Sequence, residues 1–535
     1  MKKQIILGLI AGSLVLGSCS KFLDVDPQSK IPGEEIFQNK QNLNAYILDL
    51  YKNWRDGHKD RISMYLGTDE ADLGGIQWRD DNHRRGMDTY LDGLNSTNGN
   101  ILGVWRNRFE VAQRAAQAIA ILAPDEDTND AEFNLRLAEL AILRAINHFE
   151  LVQMFGKIPL ADDLRKAELG SKRQSLEVVY QHIEEDLILA AKYLPDPAEE
   201  SYTDPRRATK ALAQAMLGKL YLYAPEASNM KSYERAAEQF KLVYENPYFG
   251  GAGAENFATI FDVTREGSGE YNREMIYAFQ FTNVRDDNNA IQWDLGSRAV
   301  TNLTETEATA LFAGFDGMMP SEYTYKDQTE GGLWEEGDVR KNESIRYNFT
   351  WEGKEPVLEG WYWGDELDPH IKKFEDPRIL DENQSTWYSG KNVPFIRFAD
   401  IVLNYAECLY KIDKQGEAID MINNIVRKRA FGGDLPADKR WNAGMGESEF
   451  MAKLMDERMR ELCFEGWRKL DLLRTGKLKE YVEARNRWVS ATYKGEPLPN
   501  ISKTAIQDFR LIWPIPLEEL RQNPDLSVAD QNPGY

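Results

Sequence analysis

The chain has 535 residues, of which 42% are hydrophobic, and its 65 Lys and Arg against 87 Asp and Glu give a formal net charge of −22. This balance is typical of a globular protein and excludes disorder along the whole chain. The acidic charge, without any run of five Lys or Arg, argues against a nucleic-acid partner.

The N-terminus has the layout of a secretory signal. Lys2 and Lys3 supply positive charge, and the apolar stretch from Ile5 to Leu16 is too short to span a bilayer. Small residues then precede Cys19, an order typical of bacterial lipoproteins. We therefore expect residues 1–18 to be a signal peptide and Cys19 to carry several acyl chains, which would anchor the protein to a membrane.

Helical spacing of apolar residues follows along much of the chain. It is clearest at 131–154, where Leu137, Ala141, Ala145 and Phe149 share one stripe. Residues 57–98 are polar and are predicted to be irregular. Helices are predicted at 41–54, 99–122, 131–154, 175–195, 207–224, 232–245, 399–411, 416–430, 447–465 and about 468–490.

Successive helix pairs joined by short turns indicate a right-handed helical solenoid. The order Ala236, Phe240, Pro247 resembles the second helix of a tetratricopeptide unit. The predicted fold class is therefore mostly α, with a tetratricopeptide-like scaffold of helical pairs over about 30–247 and 396–490.

Residues 248–395 have a different composition, dominated by Gly, Asp, Asn and Trp, with a strand-like piece at Ile276–Phe281. A long irregular insertion in a compact protein is more often functional than accidental. We expect a loop-rich region with minor β structure that packs on the scaffold and carries the ligand.

Enzyme chemistry has little support in the sequence. No two histidines have zinc-ligand spacing, no phosphate loop or nucleophile elbow is present, and no loop establishes a calcium site. The acids between Glu457 and Asp471 alternate with arginines, which predicts structural ion pairs rather than a general acid. Cys408 and Cys463 lie in apolar helical patterns and are predicted to be buried. No cofactor is predicted.

Tryptophans in polar loops are the candidate ligand contacts. An aromatic ring can pack on the apolar face of a sugar while Asp, Asn and Arg bind its hydroxyl groups. For any single tryptophan, a structural role as a loop anchor is an equally good interpretation. The predicted ligand-binding residues are Trp78, Arg79, Asp81, Trp293, Trp334, Trp361 and Trp363, whereas Trp105, Trp467 and Trp513 are assigned to packing.

Short motifs occur in a fixed order from Cys19 to Tyr535, the whole predicted mature chain. They are Cys19–Pro27, Ala138–Ala145, Arg207–Lys210, Leu220–Tyr223, Gly337–Arg340, Ile396–Asp400, Asn423-Asn424 with Arg427, Glu457-Arg458 with Glu465 to Arg474, Ile515-Pro516 and Gln531–Tyr535. In this order the chain resembles the SusD/RagB family of outer-membrane nutrient-uptake lipoproteins.

The resemblance implies a non-enzymatic protein on the bacterial surface, anchored by lipid to the outer membrane. It implies capture of glycans, or of peptides in some branches, for a SusC-like TonB-dependent transporter. Residues 19–535 would then form a single domain. The motifs belong to the scaffold and assign no ligand residues. Peptide capture, a purely structural lid and a surface glycoside hydrolase remain as alternatives, although no motif supports the hydrolase.

Overall fold

The structure is a computed structural model. It describes residues 37, 39–59, 62–74, 81–122, 130–160, 171–199, 202, 204–249, 256–263, 273–284, 286–297, 314–315, 317–347, 369–378, 389–485, 492–493, 496–497 and 506–535. The chain divides into two compact units, residues 1–46 and residues 47–535. In the first unit, the Asn39 side chain accepts hydrogen bonds from the backbone N–H groups of Gln41 and Asn42, and the rings of Phe37 and Tyr46 meet edge to face.

The described residues are mostly helical, as predicted. The longer helices are α1 (Lys40–Asp56), α3 (Asn82–Thr89), α4 (Gly99–Leu122), α5 (Ala131–Phe155), α6 (Leu176–Tyr193), α7 (Lys210–Tyr223), α8 (Tyr233–Tyr244), α13 (Phe398–Lys411), α14 (Gln415–Met421), α16 (Glu447–Leu462), α17 (Arg468–Arg474) and α18 (Leu478–Ala484). The shorter helices are α2 (Ile62–Tyr65), α9 (Phe257–Phe261), α10 (Ile291–Leu295), α11 (Glu322–Tyr325), α12 (Arg340–Ser344), α15 (Lys428–Ala430) and α19 (Leu517–Gln522). Of the helices described, none is both long enough and apolar enough to cross a membrane.

Helices α4 to α8 pack each against the next along the chain, which confirms the prediction of helical pairs. Local chemistry sets their ends. Asp130 caps α5 by accepting the N–H groups of Glu132 and Phe133, and Gly156 ends it with φ of 70°. Helix α8 then packs against α13, so the scaffold resumes after the intervening residues 245–397.

Three predicted helices differ in detail from the structure. The helix predicted at 416–430 contains a π-helical segment at Ile422–Arg427. The helix predicted at 447–465 ends at Leu462, because Cys463 leaves the helical conformation with ψ of 141° and Phe464 follows with φ of 65°. The helix predicted at 468–490 is broken after Arg474, where Gly476 has φ of 66°.

The strands are short and pair antiparallel. The structure has β1 (Ala71–Leu73), β2 (Met275–Phe279), β3 (Met318–Pro320), β4 (Ile345–Arg346), β5 (His370–Ile371), β6 (Val393–Arg397), β7 (Thr492–Tyr493) and β8 (Glu496–Pro497), paired as β1–β3, β2–β6, β4–β5 and β7–β8. The strand predicted at Ile276–Phe281 is confirmed as β2, shifted by one or two residues. The prediction that 57–98 is irregular is wrong, because this range contains α2, β1 and α3.

Candidate functional site

Four short strands bring together distant parts of the chain. Segments that carry predicted ligand-binding residues directly adjoin several of these strands in the chain. In β1 and β3, Ala71 lies opposite Pro320 and Leu73 lies opposite Met318. Strand β5 pairs with β4 and packs against β3. We call β1, β3, β4 and β5 the strand frame.

The predicted tryptophan segments adjoin this strand frame in the chain. Residues 75–80, with Trp78 and Arg79, follow β1, and residues 348–368, with Trp361 and Trp363, separate β4 from β5. These four side chains lie outside the described residues, so their role in binding stays a prediction.

Asp81 is described and serves as the N-cap of α3. Its carboxylate accepts a hydrogen bond from the backbone N–H of Arg84 at 2.9 Å and lies 3.6 Å from the Arg84 guanidinium. The Asp81 side chain therefore stabilises the start of α3. Its contact with a ligand stays a prediction.

Trp293 lies in α10 and is partly exposed. Its carbonyl oxygen accepts the N–H of Phe315 at 2.8 Å, and the N–H of Gly317 donates to Asp294. The carbonyl of Gly317 in turn accepts the N–H of Gly74, the residue before the segment that carries Trp78. Backbone hydrogen bonds through Gly317 thus link α10 to Gly74.

Trp334 is placed differently from its prediction as an open sugar-stacking residue. It is only 1% exposed, and its indole N–H donates to the carbonyl of Thr324 at 2.5 Å. The cause is the preceding turn, in which Gly331 has φ of 83° and a Cβ on Gly332 would stand 2.2 Å from the Lys326 carbonyl. This tight turn folds the indole inward, so the ring is a loop anchor and offers no open face.

Two tyrosines beside the strand frame were missed by the sequence analysis. Tyr325 ends α11, which begins two residues after β3, and Tyr347 directly follows β4. Their ring centroids lie 6.0 Å apart with the planes inclined by 71°, and both residues are partly exposed. The two residues are 22 positions apart, so no short-range pattern could have paired them.

A cleft of about 700 Å³ opens between α1, β2 and the turn at 204–206. Its aromatic wall consists of Tyr51, Tyr277, Phe279 and Phe281, which are all buried. The Tyr277 ring stacks on Trp54 at 5.0 Å between centroids. These rings are committed to the core, so the cleft offers little aromatic surface to a sugar.

The acidic helix α16 lies in a buried network of charges. Glu457 accepts contacts of 2.9 Å from each of Arg340, Arg427 and Arg460. Burial alone would raise the pKa of Glu457, but these guanidinium groups hold it at about 2, and the pKa of Glu461 is likewise held well below its usual range. Carboxylates held ionised in this way cannot act as general acids. This confirms the prediction that the acids of this helix form structural ion pairs. Most partners come from other elements rather than from the same helix.

Cys408 and Cys463 are buried free thiols, as predicted, and burial raises the pKa of both. Within the described ranges, no group of three or more His, Cys, Asp or Glu side chains is arranged to hold a metal ion.

Comparison with known proteins places this arrangement in context. The profile described as SusD family matches residues 271–535, and the profile described as starch-binding associating with outer membrane matches residues 21–222. Together the two matches take in most of the chain.

Individual relatives match along nearly the full length. The chain is 26% identical to SusD-like protein P2 of Formosa agariphila over 100% of both chains. A crystal structure of a SusD homolog from Bacteroides thetaiotaomicron superposes with a TM-score of 0.76 at 21% identity, covering 94% of this chain and 99% of that one. Surface glycan-binding protein A from the same organism, in complex with laminarihexaose, superposes with a TM-score of 0.70 at 18% identity, covering 92% and 99%.

Proposed function

This chain belongs to the SusD family, and we propose that it captures oligosaccharides at the cell surface and delivers them to a SusC-like TonB-dependent outer-membrane transporter. It is a binding protein and not an enzyme. Support comes from the match to a starch-binding profile associated with the outer membrane and from the laminarihexaose complex of a protein with the same fold.

The observation that carries the proposal is that the predicted ligand-binding segments adjoin the strand frame. Two predicted tryptophan segments, 75–80 and 348–368, adjoin its strands in the chain, and α10 with Trp293 is linked through Gly317 to Gly74, the residue before the first segment. Aromatic rings beside polar side chains are the chemistry that binds an uncharged sugar, because the ring covers the C–H face while polar groups reach the hydroxyls.

The rest of the proposal concerns how the protein is held at the membrane. We place a signal peptide at 1–18, a lipid anchor on Cys19, and a single SusD-like domain at 19–535 with the ligand region at about 248–395. The lipid would supply the attachment, since a protein of net charge −22 is repelled by an anionic membrane surface.

The test is a thermal-shift screen of a protein that begins at Ser20, using neutral oligosaccharides and peptides of matched length. A ligand at about 100 times its Kd should stabilise the fold by roughly 2.7 kcal/mol. Stabilisation by an oligosaccharide class supports the proposal and identifies the substrate. Stabilisation by peptides alone would replace glycan capture with peptide capture, the alternative that the resemblance to the SusD/RagB family leaves open.

A further inference from the structure

Tyr325 and Tyr347 form an aromatic surface beside the strand frame, and both residues are partly exposed. Their rings meet edge to face at 6.0 Å, so part of each ring is directed away from the other. Trp334, by contrast, is enclosed by packing, as are the rings of the cleft beside α1. We call Tyr325 and Tyr347 the tyrosine pair.

Neighbouring side chains fix the tyrosine pair in position. The Lys341 ammonium lies 4.3 Å from the ring centroid of Tyr347 and 5.5 Å from that of Tyr325, and it binds the carboxylate of Asp327 at 2.8 Å. The hydroxyl of Tyr347 donates to Oδ1 of Asn342 at 2.8 Å. Rings held in this way lose little side-chain entropy when a ligand arrives, which favours binding.

Among the described residues, the charges around the tyrosine pair are balanced or negative. Glu330 beside Asp327 is exposed and adds a further negative charge. In the described part of the chain, three lysines next to the pair are bound to carboxylates, as Lys341–Asp327, Lys326–Glu322 and Lys372–Glu343. A sulfate or uronate group would therefore meet carboxylates and cations that are already paired, whereas the hydroxyl groups of a neutral sugar can bind Asp327 and Asn342 without a charge penalty.

We infer that the tyrosine pair is a saccharide-binding subsite, and that it selects uncharged glycans over sulfated or uronic ones. The inference rests on the proposed function and deepens it, because it names residues and a substrate class for the same site. Tyr347 directly precedes the segment that carries Trp361 and Trp363, so this subsite adjoins the predicted tryptophans in the chain.

The test compares Tyr325→Ala and Tyr347→Ala with a matched control, Tyr193→Ala. Tyr193 is also partly exposed and carries a lysine over its ring, with the Lys192 ammonium 4.6 Å from the centroid, but it lies at the end of α6. Isothermal titration uses laminarihexaose and maltohexaose as neutral probes and hexagalacturonate as the anionic probe. Melting curves establish that each variant is folded.

We expect each alanine variant of the pair to weaken binding of the neutral probe by between about twofold and tenfold, which is the range for one aromatic contact. Tyr193→Ala should leave the Kd unchanged, and Tyr347→Phe should retain most of the affinity because the ring remains. If the wild-type protein binds a neutral probe and both alanine variants bind it equally well, the subsite is wrong while glycan capture stands. Equal or tighter binding of hexagalacturonate overturns the selectivity, and failure of the wild type to bind either neutral probe overturns the subsite together with neutral-glycan capture.

Discussion

Single residues in the core carry charge that the chain must keep paired. Glu461 is buried and contacts Arg397 at 3.1 Å and Arg340 at 3.1 Å, and Arg429 also binds it. These arginines come from three separate elements. The sequence predicted ion pairs here, but spacing along one helix could only suggest partners on that helix, and the long-range partners follow from the fold.

We predict that Glu461→Gln lowers the free energy of unfolding by about 3–5 kcal/mol, because it leaves buried guanidinium groups without their carboxylate. The matched control is Glu449→Gln in the same helix, whose exposed pair with Lys453 spans 3.0 Å and should cost less than about 1 kcal/mol. Urea unfolding followed by circular dichroism measures both. Equal losses of unfolding free energy for the two substitutions would show that the buried network stabilises the fold no more than an exposed ion pair does.

Glu70 is a buried carboxyl group whose pKa is raised, whereas the pKa of Glu461 is lowered. One carboxylate oxygen accepts the N–H of Phe464 at 3.0 Å, and the other has no hydrogen-bond partner in the described part of the chain. Burial raises its pKa from 4.5 to about 7. The folded state therefore favours the protonated form, and stability present below pH 4.5 is lost as the pH rises through 7.

Glu70→Gln should relieve this loss, because the amide stays neutral at every pH. We expect the variant and the wild type to be equally stable near pH 4, and the variant to gain up to about 3 kcal/mol by pH 8. Unfolding curves measured between these pH values test the prediction. A stability difference that does not change with pH would show that Glu70 ionises as easily when folded as when unfolded.

At the scale of elements, periodicity located the helices and local chemistry located their ends. The predicted helix at 99–122 matches α4, and the predicted 131–154 is within one residue of α5. Strands β1 and β3 could not be predicted, because each has three residues and its partner lies some 250 residues away in the chain. The same limit applies to the candidate site, since a Gly-Gly-Leu-Trp sequence does not reveal whether its turn folds the tryptophan outward or inward.

Two glycines within helices give a paired test of helix packing. A Cβ on Gly218 of α7 would lie 2.5 Å from the Phe240 ring of α8, whereas a Cβ on Gly103 of α4 meets nothing within 4 Å. Gly218→Ala should destabilise the protein by about 1–3 kcal/mol through overpacking. Gly103→Ala should stabilise it by about 0.5–1 kcal/mol through helix propensity.

Thermal unfolding of the two glycine variants measures both changes in stability. Opposite signs for the two changes are the expected result. A stabilising effect of Gly218→Ala would mean that α7 and α8 are not packed as closely as the structure has them.

At the scale of the whole molecule, the proposed function combines a helical scaffold, a lipid attachment and a ligand-binding face. The proposed attachment is made through acyl chains on Cys19. Cys19→Ser in the full chain should move the protein from the membrane fraction to the released fraction and abolish its labelling by a radioactive fatty acid. Labelling that persists in the variant would place the lipid elsewhere or exclude it.

Capture of neutral oligosaccharides is tested most directly by isothermal titration of the protein from Ser20 to Tyr535. Laminarihexaose and maltohexaose are titrated in parallel with a peptide of six residues. We predict saturable binding of a hexasaccharide. The Kd should stay constant when salt is raised from about 50 to 500 mM, because a neutral sugar forms no ion pair with the protein that salt could screen. Binding of the peptide, with no heat from either hexasaccharide, would contradict this prediction.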